Sequence, residues 1–408
     1  MSARRVALLL LVAQMLSMLG FSTYAALLPG LRVEWALSNA EAGMIGSAFF
    51  VGYIATVSYW SALTDRADGR KVYFAGGLLS TAGLLGFALV ARGLWSAALC
   101  QTLLGAGVAA TYMPGLRLLS DRASGAAQSR YIAFYTSFFG VGSALSLLLA
   151  GSLAAAWSWH AAFAGASAGP LAAAIVVRWG IEGRPPPLAG GITFSLATLF
   201  PLGAWKRVLA QRAAAGYTLG YAVHCLELFG SRAWVVAFLA FAAGLHASGA
   251  GFPWAPAAIA AFVSLCSVPA SILGNEAALR LGRRPWILAV MLASGSCGIV
   301  LGLSAAWHWL PVLAILLAYT MLVMADSATL TAGLVATTSE ELRGAAMGLY
   351  SLAGFAGGML GPVLFGAALD LAGGGRSPAA WALGFAAIGA GCLAASPAAR
   401  LFGGKPTA

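Results

Sequence analysis

The sequence predicts an all-α membrane protein, with twelve transmembrane helices arranged as two six-helix bundles related by a pseudo-two-fold axis. Three observations predict it. The 408 residues are 61% hydrophobic and only 9% charged, with mean hydropathy +0.87; a soluble globular domain carries about 25% charged residues. Twelve apolar stretches reach the ~20 residues that cross a bilayer as a helix. Two landmarks recur at one interval. Gly69-Arg70-Lys71 returns as Gly282-Arg283-Arg284, and Arg130 and Arg343 each open a glycine-rich apolar run. Arg70 to Arg283 and Arg130 to Arg343 are both intervals of 213 residues, so the chain is a tandem duplication of a unit about half its length.

The twelve spans run through 6–28, 41–62, 72–91, 96–118, 131–153, 161–179, 214–242, 254–273, 285–305, 311–334, 345–369 and 378–398. Span 1 follows Arg4-Arg5 and is too long for the apolar core of a signal peptide. Barrel strands would instead alternate in polarity over ~10 residues. The domain reading is a first bundle over 1–179, a cytoplasmic linker over 180–212 and a second bundle over 213–408. The linker holds Arg184-Pro185-Pro186-Pro187 and Lys206-Arg207, and a moderately apolar piece, 190–204, with Pro201. That piece is too short to cross, and a crossing there would put Arg280, Arg283, Arg284 and Arg343 outside.

Of the 23 Lys and Arg, all but Arg32, Arg92, Arg232 and Arg376 fall on the side of both termini. The positive-inside rule places that side in the cytoplasm of a bacterial inner membrane. The same rule explains the net charge of +11, so nucleic-acid binding has no place in the reading. Cys100, Cys225, Cys266, Cys297 and Cys392 are scattered in apolar runs with no pairing or metal spacing, as expected of buried free thiols. Trp157, Trp159 and Trp309, near span ends, read as interfacial anchors.

The loop after span 2, "SALTDRADGRK", resembles the Gly-x-x-x-Asp-Arg-x-Gly-Arg-Arg/Lys signature of the major facilitator superfamily. Asp65, Arg66, Gly69, Arg70 and Lys71 match; Ser61 replaces a glycine, and one extra residue, Ala67 or Asp68, separates Arg66 from Gly69. The loop after span 8 keeps Arg280, Gly282, Arg283 and Arg284 without the aspartate. The resemblance covers the whole chain. It implies a monomeric carrier in which Asp65, Arg66, Gly69, Arg70, Lys71, Arg283 and Arg284 gate the cytoplasmic side. There the loop aspartate would pair with basic residues and a helix end of the neighbouring half. A carboxylate facing arginines or a helix N-terminus can form such a latch. Family patterns of drug–proton antiport are weak: Gln101 stands where an arginine is usual, and span 5 lacks its Gly-Pro. The arginines that nitrate-type porters carry in spans 2 and 8 are also missing. Spans 2 and 11 are expected to approach closely through Gly43, Gly46 and Gly52, and through Gly354, Gly357, Gly358 and Gly361.

Charges at bilayer depth are costly, which makes each a functional candidate. Span 7 holds His224, Glu227 and Arg232, and span 10 holds Asp326. At 100° per residue, Tyr217, Tyr221, His224, Glu227 and Ser231 share one broad stripe, with His224 and Glu227 about 60° apart. Glu227 and Arg232 are about 140° apart and make poor partners. The first half offers neutral groups such as Gln14, Tyr112, Tyr53 and Gln101, and the 213-residue interval sets Gln14 opposite Glu227. Desolvation disfavours the charged form of an acid at that depth, which lets it load and release a proton. Glu227 is the leading proton or substrate group, followed by Asp326 and His224, with Arg232, Tyr221, Tyr112 and Gln14 lining the site. Such acids suit a cationic, zwitterionic or hydrogen-bonding substrate, or proton duty alone.

The expected function is therefore proton-coupled secondary transport of a small polar metabolite by alternating access. Export by proton antiport and a non-transporting sensor with a carrier fold are the alternatives. An enzyme would need a dense catalytic constellation, which the spans do not offer. No cofactor is implied, and His224, Cys225 and Glu227 lack the second cluster a metal would need.

Overall fold

The structure, a computed structural model, describes residues 1–183, 201–246 and 251–395. Its described residues are helical, with no strand among them. Eleven helices are long and apolar enough to cross a membrane, and a shorter apolar one, Pro378–Leu393, follows. In a bilayer every backbone N–H and C=O must be satisfied within the segment, so apolar runs of this length become helices.

Span 1 covers Ala3–Glu34, span 2 Asn39–Leu63, span 3 Gly69–Val90, span 4 Leu94–Ser120, span 5 Gly125–Ala156 and span 6 Trp159–Gly180. A short helix, Leu202–Ala210, precedes span 7, Arg212–Leu245. Span 8 is Pro256–Leu281, span 9 Arg283–Leu303 and span 11 Arg343–Leu371. Span 10 is built from Trp309–Met324 and Ser327–Thr337, and span 12 is Pro378–Leu393. The linker stretch 184–200, with its proline run and most of its apolar piece, lies outside the described residues, as does the predicted end of span 12 beyond residue 395.

Helix ends follow local chemistry as well as hydropathy. Ser2, Asp68, Ser158 and Ser377 cap helix starts through their side chains, as short polar residues do at N-caps. Span 8 runs past its apolar stretch, and on that extension Glu276 and Arg280 pair at 3.0 Å, one turn apart. Gly282 then turns the chain with φ +91°, a left-handed conformation that favours glycine.

Two spans are interrupted where hydropathy alone reads them as continuous. Span 1 tightens into a 3-10 turn at Met18–Gly20. Beside it Ser22 N donates to Ser146 Oγ at 3.0 Å, and Ser22 Oγ meets Ser143 Oγ at 2.7 Å. Span 10 breaks at Ala325-Asp326, where the Ala325 carbonyl accepts Trp286 Nε1 at 3.1 Å. Partners from neighbouring helices replace the backbone bonds that each break gives up.

The described chain packs as two compact units. Unit 1 comprises Met1–Trp35, Ala48–Phe200 and Ala257–Leu265; unit 2 comprises Ala36–Ser47, Pro201–Pro256 and Cys266–Ala408. The first part of span 2 thus belongs to unit 2, and the first part of span 8 to unit 1. In unit 1, Val6, Leu10, Tyr73, Leu118, Tyr135 and Val177 share a core. Unit 2 has a core around Met291, Leu330, Leu334, Ala346 and Tyr350, and an aromatic cluster of Trp234, Phe365, Trp381 and Phe385. Trp157 is exposed, as an anchor would be. Trp159 instead packs edge-on against Trp35 and donates to Glu34 Oε2 at 2.9 Å, so it also ties spans 1 and 6 together.

Inside unit 2 the start of span 2 lies against the end of span 11. Asp370 accepts from Asn39 N at 3.0 Å, Asn39 Nδ2 at 2.7 Å and Ala40 N at 2.8 Å. Ser47 Oγ donates to the Met359 carbonyl. A Cβ on Gly43 would overlap the Pro362 carbonyl, and one on Gly366 the Asn39 carbonyl. The carboxylate satisfies backbone donors that a helix start leaves free and opposes the positive end of its dipole.

Candidate functional site

Span 7 places its polar stripe inside unit 2 and divides it between neighbours. His224 and Glu227 are both 2% exposed. His224 turns to the break in span 10, where its Nδ1 lies 2.8 Å from Asp326 Oδ1. Asp326 is itself buried. It occupies the N-cap of the half-helix Ser327–Thr337, yet its side chain makes no capping bond there; its Oδ1 faces the histidine at ion-pair distance without a hydrogen bond to it. His224 Nε2 has no hydrogen-bond partner, and neither does Thr329 Oγ1 one turn along the half-helix.

Glu227 faces away from that pair, toward spans 9 and 12. Ser294 Oγ donates to its Oε2 at 2.8 Å, and Cys392 Sγ does so at 3.2 Å; Oε1 has no partner. The 60° offset on the wheel is therefore enough to send the two side chains to different helices. Tyr221 stacks on Tyr350 of span 11, with centroids 3.8 Å apart and planes at 7°, and lies nearly parallel to the His224 ring at 5.8 Å. Tyr350 OH meets Thr331 Oγ1 at 2.9 Å. Glycine makes room for these rings: a Cβ at Gly354 would overlap Tyr221, and one at Gly333 would overlap Tyr217. Arg232 is half-buried, and its Nη2 approaches Met324 Sδ at 3.8 Å, at the end of the first part of span 10.

Gln14 and Tyr112 lie in unit 1. Gln14 is fully buried, with neither amide atom hydrogen-bonded. Tyr112 packs against Tyr135 and Phe139. The structure thus brings together His224, Asp326, Tyr221, Glu227 and Arg232 within unit 2, and holds Gln14 and Tyr112 in the other unit. Among the described residues no group of three His, Cys, Asp or Glu could hold a metal ion.

The signature loop after span 2 is an ordered polar joint of unit 1. Asp65 pairs with Arg117 of span 4 at 2.5 Å, a partner within its own unit. Asp68, one of the two candidates for the extra residue of the motif, caps span 3 by accepting from Arg70 N at 3.0 Å. It also pairs with the Arg70 guanidinium at 2.6 Å. Burial alone would raise the Asp68 carboxyl. The hydrogen bonds from Arg70 and the charges of Arg70 and Arg178 outweigh it and hold the group below the ordinary carboxylate value. Arg70 Nη1 then donates to the Ile181 carbonyl at 2.7 Å, just past the end of span 6. Gly69 opens span 3 close to Leu118, Arg66 is half-buried and Lys71 is exposed. In the second loop Arg284 is exposed and Arg283 half-buried, its Nε without a hydrogen-bond partner. Leu281 stands where the repeat would need the counterpart of Asp68.

Ser294, Tyr350, Thr331 and Arg117 are not singled out by the sequence, which names Cys392 only as a buried thiol and Asp68 only as a candidate extra residue of the signature. Ser294 and Cys392 lie 67 and 165 residues from Glu227, and a lone serine or cysteine in an apolar helix carries no pattern. Asp68 did carry a signal, an aspartate directly before a helix start.

The fold is shared with solved transporters. A bacterial homologue of the human lysosomal transporter Spinster, inward-facing and unoccupied, matches with TM-score 0.76 at 16% identity, over 98% of this chain and 96% of that one. The nucleoside transporter NupG matches with TM-score 0.75 at 16% identity, over 97% and 99%. A peptide transporter in complex with alafosfalin matches with TM-score 0.77 at 14% identity, over 97% and 94%. Among curated proteins, a probable sphingolipid transporter of Arabidopsis thaliana, spinster homolog 2, is 25% identical over 136 residues, 33% of this chain and 28% of that protein. The niacin transporter NiaP of Acinetobacter baylyi is 28% identical over 130 residues, 32% and 29%. The matched stretch thus spans less than a third of either curated relative. The family model of the Major Facilitator Superfamily matches residues 10–244, more than half the chain. With that match, the helical bundles and the repeated signature loops, the chain belongs to the Major Facilitator Superfamily of membrane carriers.

Proposed function

We propose that this carrier moves a small polar metabolite across the bacterial inner membrane by alternating access, and that protons drive it through Glu227, His224 and Asp326. The observation that carries the reading is the buried His224–Asp326 pair, which joins span 7 to the break in span 10. Discontinuous helices at membrane depth are where repeat-built carriers place substrate and coupling-ion groups. His224 is the ionisable group of span 7 that faces that break. Glu227, beside it on the same helix, is a second acid kept from water and from cations. The relatives named for niacin, nucleosides and peptides support a small polar cargo; the one named for sphingolipid stands for a larger amphipath.

In this reading the bundles follow the duplication, residues 1–179 and 213–408 with the linker between, and both termini are cytoplasmic. The joints Asp65–Arg117 and Asp68–Arg70 stiffen the cytoplasmic side of unit 1, where gating takes place, with Arg283 and Arg284 as the weaker counterpart. The test is proton movement in proteoliposomes containing the purified protein, with wild type, Glu227→Gln and Asp326→Asn compared. Both variants are expected to lose solute-dependent proton flux. Unchanged coupling in both would remove the assignment.

A further inference from the structure

The short helix before span 7, Leu202–Ala210, has more apolar surface than the bundle covers. Val208 is fully buried in the core that holds Leu334, Leu342 and Ala346, and Ala204 packs against that core. The helix thereby rests on spans 7 and 11 and on the turn Glu340–Leu342. At 100° per residue, Ala204, Val208 and Trp205 fill one sector of about 100°. Leu202 and Leu209, seven residues apart, form a separate line about 100–120° from Val208. They are 70% and 50% exposed. One exposed leucine needs no explanation, but two in line beside a membrane span do.

Basic residues flank that line. Lys206 lies about 50° from it and Arg207 about 150°, on the opposite side of the helix. Both are exposed, as is Arg212 at the start of span 7. Among the described residues no carboxylate pairs with Lys206, Arg207 or Arg212. The turn that the helix touches carries Glu340 and Glu341, which are exposed and form no ion pair either. Only Gln211 separates the helix from span 7. Its N–H donates to the Val208 carbonyl at 3.0 Å, and its carbonyl accepts from Ala215 N at 2.9 Å. Nine residues of helix extend only ~14 Å, so the leucine line stays close to where span 7 enters the bilayer.

We propose that the Leu202–Leu209 line is a docking surface for anionic phospholipid, with Lys206 on the lipid headgroup. The leucines enter the boundary between headgroups and acyl chains. Lys206 runs its methylenes along that boundary and places its ammonium at a phosphate. Arg212 adds a second cation close by in the chain, while Arg207 points to water. In the topology proposed above this is the cytoplasmic leaflet, whose negative surface attracts basic residues. The bound lipid sets the depth of span 7, whose polar stripe begins at Tyr217, five residues past Arg212. The surface is independent of the cargo and of proton coupling.

The experiment uses the full chain in vesicles of equimolar phosphatidylcholine and phosphatidylglycerol. The photoreactive residue p-benzoylphenylalanine replaces Leu202, Leu209 or Arg207 in turn, and adducts are identified by mass spectrometry after illumination. Both leaflets have one composition, so the orientation of the chain does not enter. Lipid adducts are expected at Leu202 and Leu209 and not at Arg207, with phosphatidylglycerol captured in excess over phosphatidylcholine. With the probe at Leu202, Lys206→Gln is expected to lower that ratio about fivefold, the effect of ~1 kcal/mol per basic residue at an anionic surface. Arg207→Gln should change it little. All these positions are exposed, and melting in detergent checks that each variant folds. Adducts from Leu202 and Leu209 to protein instead of lipid mean that another part of the chain covers the line, and overturn the proposal. Equal capture of the two lipids, an unchanged ratio in Lys206→Gln, or lipid capture at Arg207 equal to that at Leu202 overturns it too. Lipid capture by a protein that moves neither solute nor protons leaves this inference standing and removes the carrier reading.

Discussion

At the scale of single residues, what matters is which partner each polar group finds. Asp68 is the clearest structural case. Its carboxylate both caps span 3 and fixes Arg70 against the Ile181 carbonyl. Asp68→Asn keeps a capping oxygen but loses the ion pair, whereas Asp68→Ala loses both. Asp68→Ala is expected to cost about 1 kcal/mol, the usual value of an N-cap, and Asp68→Asn less, measured as thermal unfolding in detergent. Because the folded state holds this carboxyl below its ordinary value, its contribution is present above the unfolded carboxyl range and is lost as pH falls through the folded value. The difference in melting temperature between wild type and Asp68→Asn should therefore shrink in strong acid; a gap that widens there would contradict the assignment. Glu227 is the functional case. Ser294→Ala removes one of its two donors and leaves the fold intact, so transport should change more than stability. Equal losses in both would reduce Ser294 to a packing residue.

At the scale of elements, the break in span 10 is held by its neighbours. The Ala325 carbonyl accepts Trp286 Nε1, and Gly274 of span 8 lies so close that a Cβ would overlap the same carbonyl. Backbone cannot yield as a flexible side chain can, so Gly274→Ala must push span 8 away from the break. The expected cost is about 1–3 kcal/mol, as for overpacked cores, together with loss of transport. A variant with wild-type melting and uptake would show that this approach is not needed. Gly354→Ala meets the ring of Tyr221 instead, which can shift. That change should disturb the stack on Tyr350 and alter substrate affinity with a smaller effect on melting.

At the scale of the whole molecule, the duplicated halves have diverged in where they keep their charge. The first loop has the Asp68–Arg70 joint and the second has Leu281 in place of the aspartate. The bilayer-depth charges show the opposite bias and lie in unit 2. Asp370 adds a link between residues 331 positions apart in the chain, joining the start of span 2 to the end of span 11. A disulfide formed between Asn39→Cys and Asp370→Cys should hold that seam and stop turnover, with activity restored by reductant. Transport that continues while cross-linked would show that the seam does not move. Impermeant thiol reagents should label Arg376→Cys from the outside and Lys71→Cys only after the membrane is opened; the reverse pattern would invert the proposed topology.

Much of this protein follows from sequence alone. Its class and family follow because a bilayer forces long apolar runs to be helices, and because duplication leaves a countable interval between Arg70 and Arg283. The acids and the histidine of spans 7 and 10 are legible because charge at depth is rare. Their partners are not, since helical periodicity locates a side chain on one helix and says nothing of the helix it meets. His224 and Glu227 share a stripe on the wheel, yet one reaches Asp326 and the other Ser294 and Cys392. The breaks in spans 1 and 10 are equally invisible to hydropathy, because serines of span 5 and Trp286 of span 9 satisfy the backbone from outside the segment. Tertiary packing alone decided which polar groups are paired and which, such as the Gln14 amide, Glu227 Oε1 and His224 Nε2, are not.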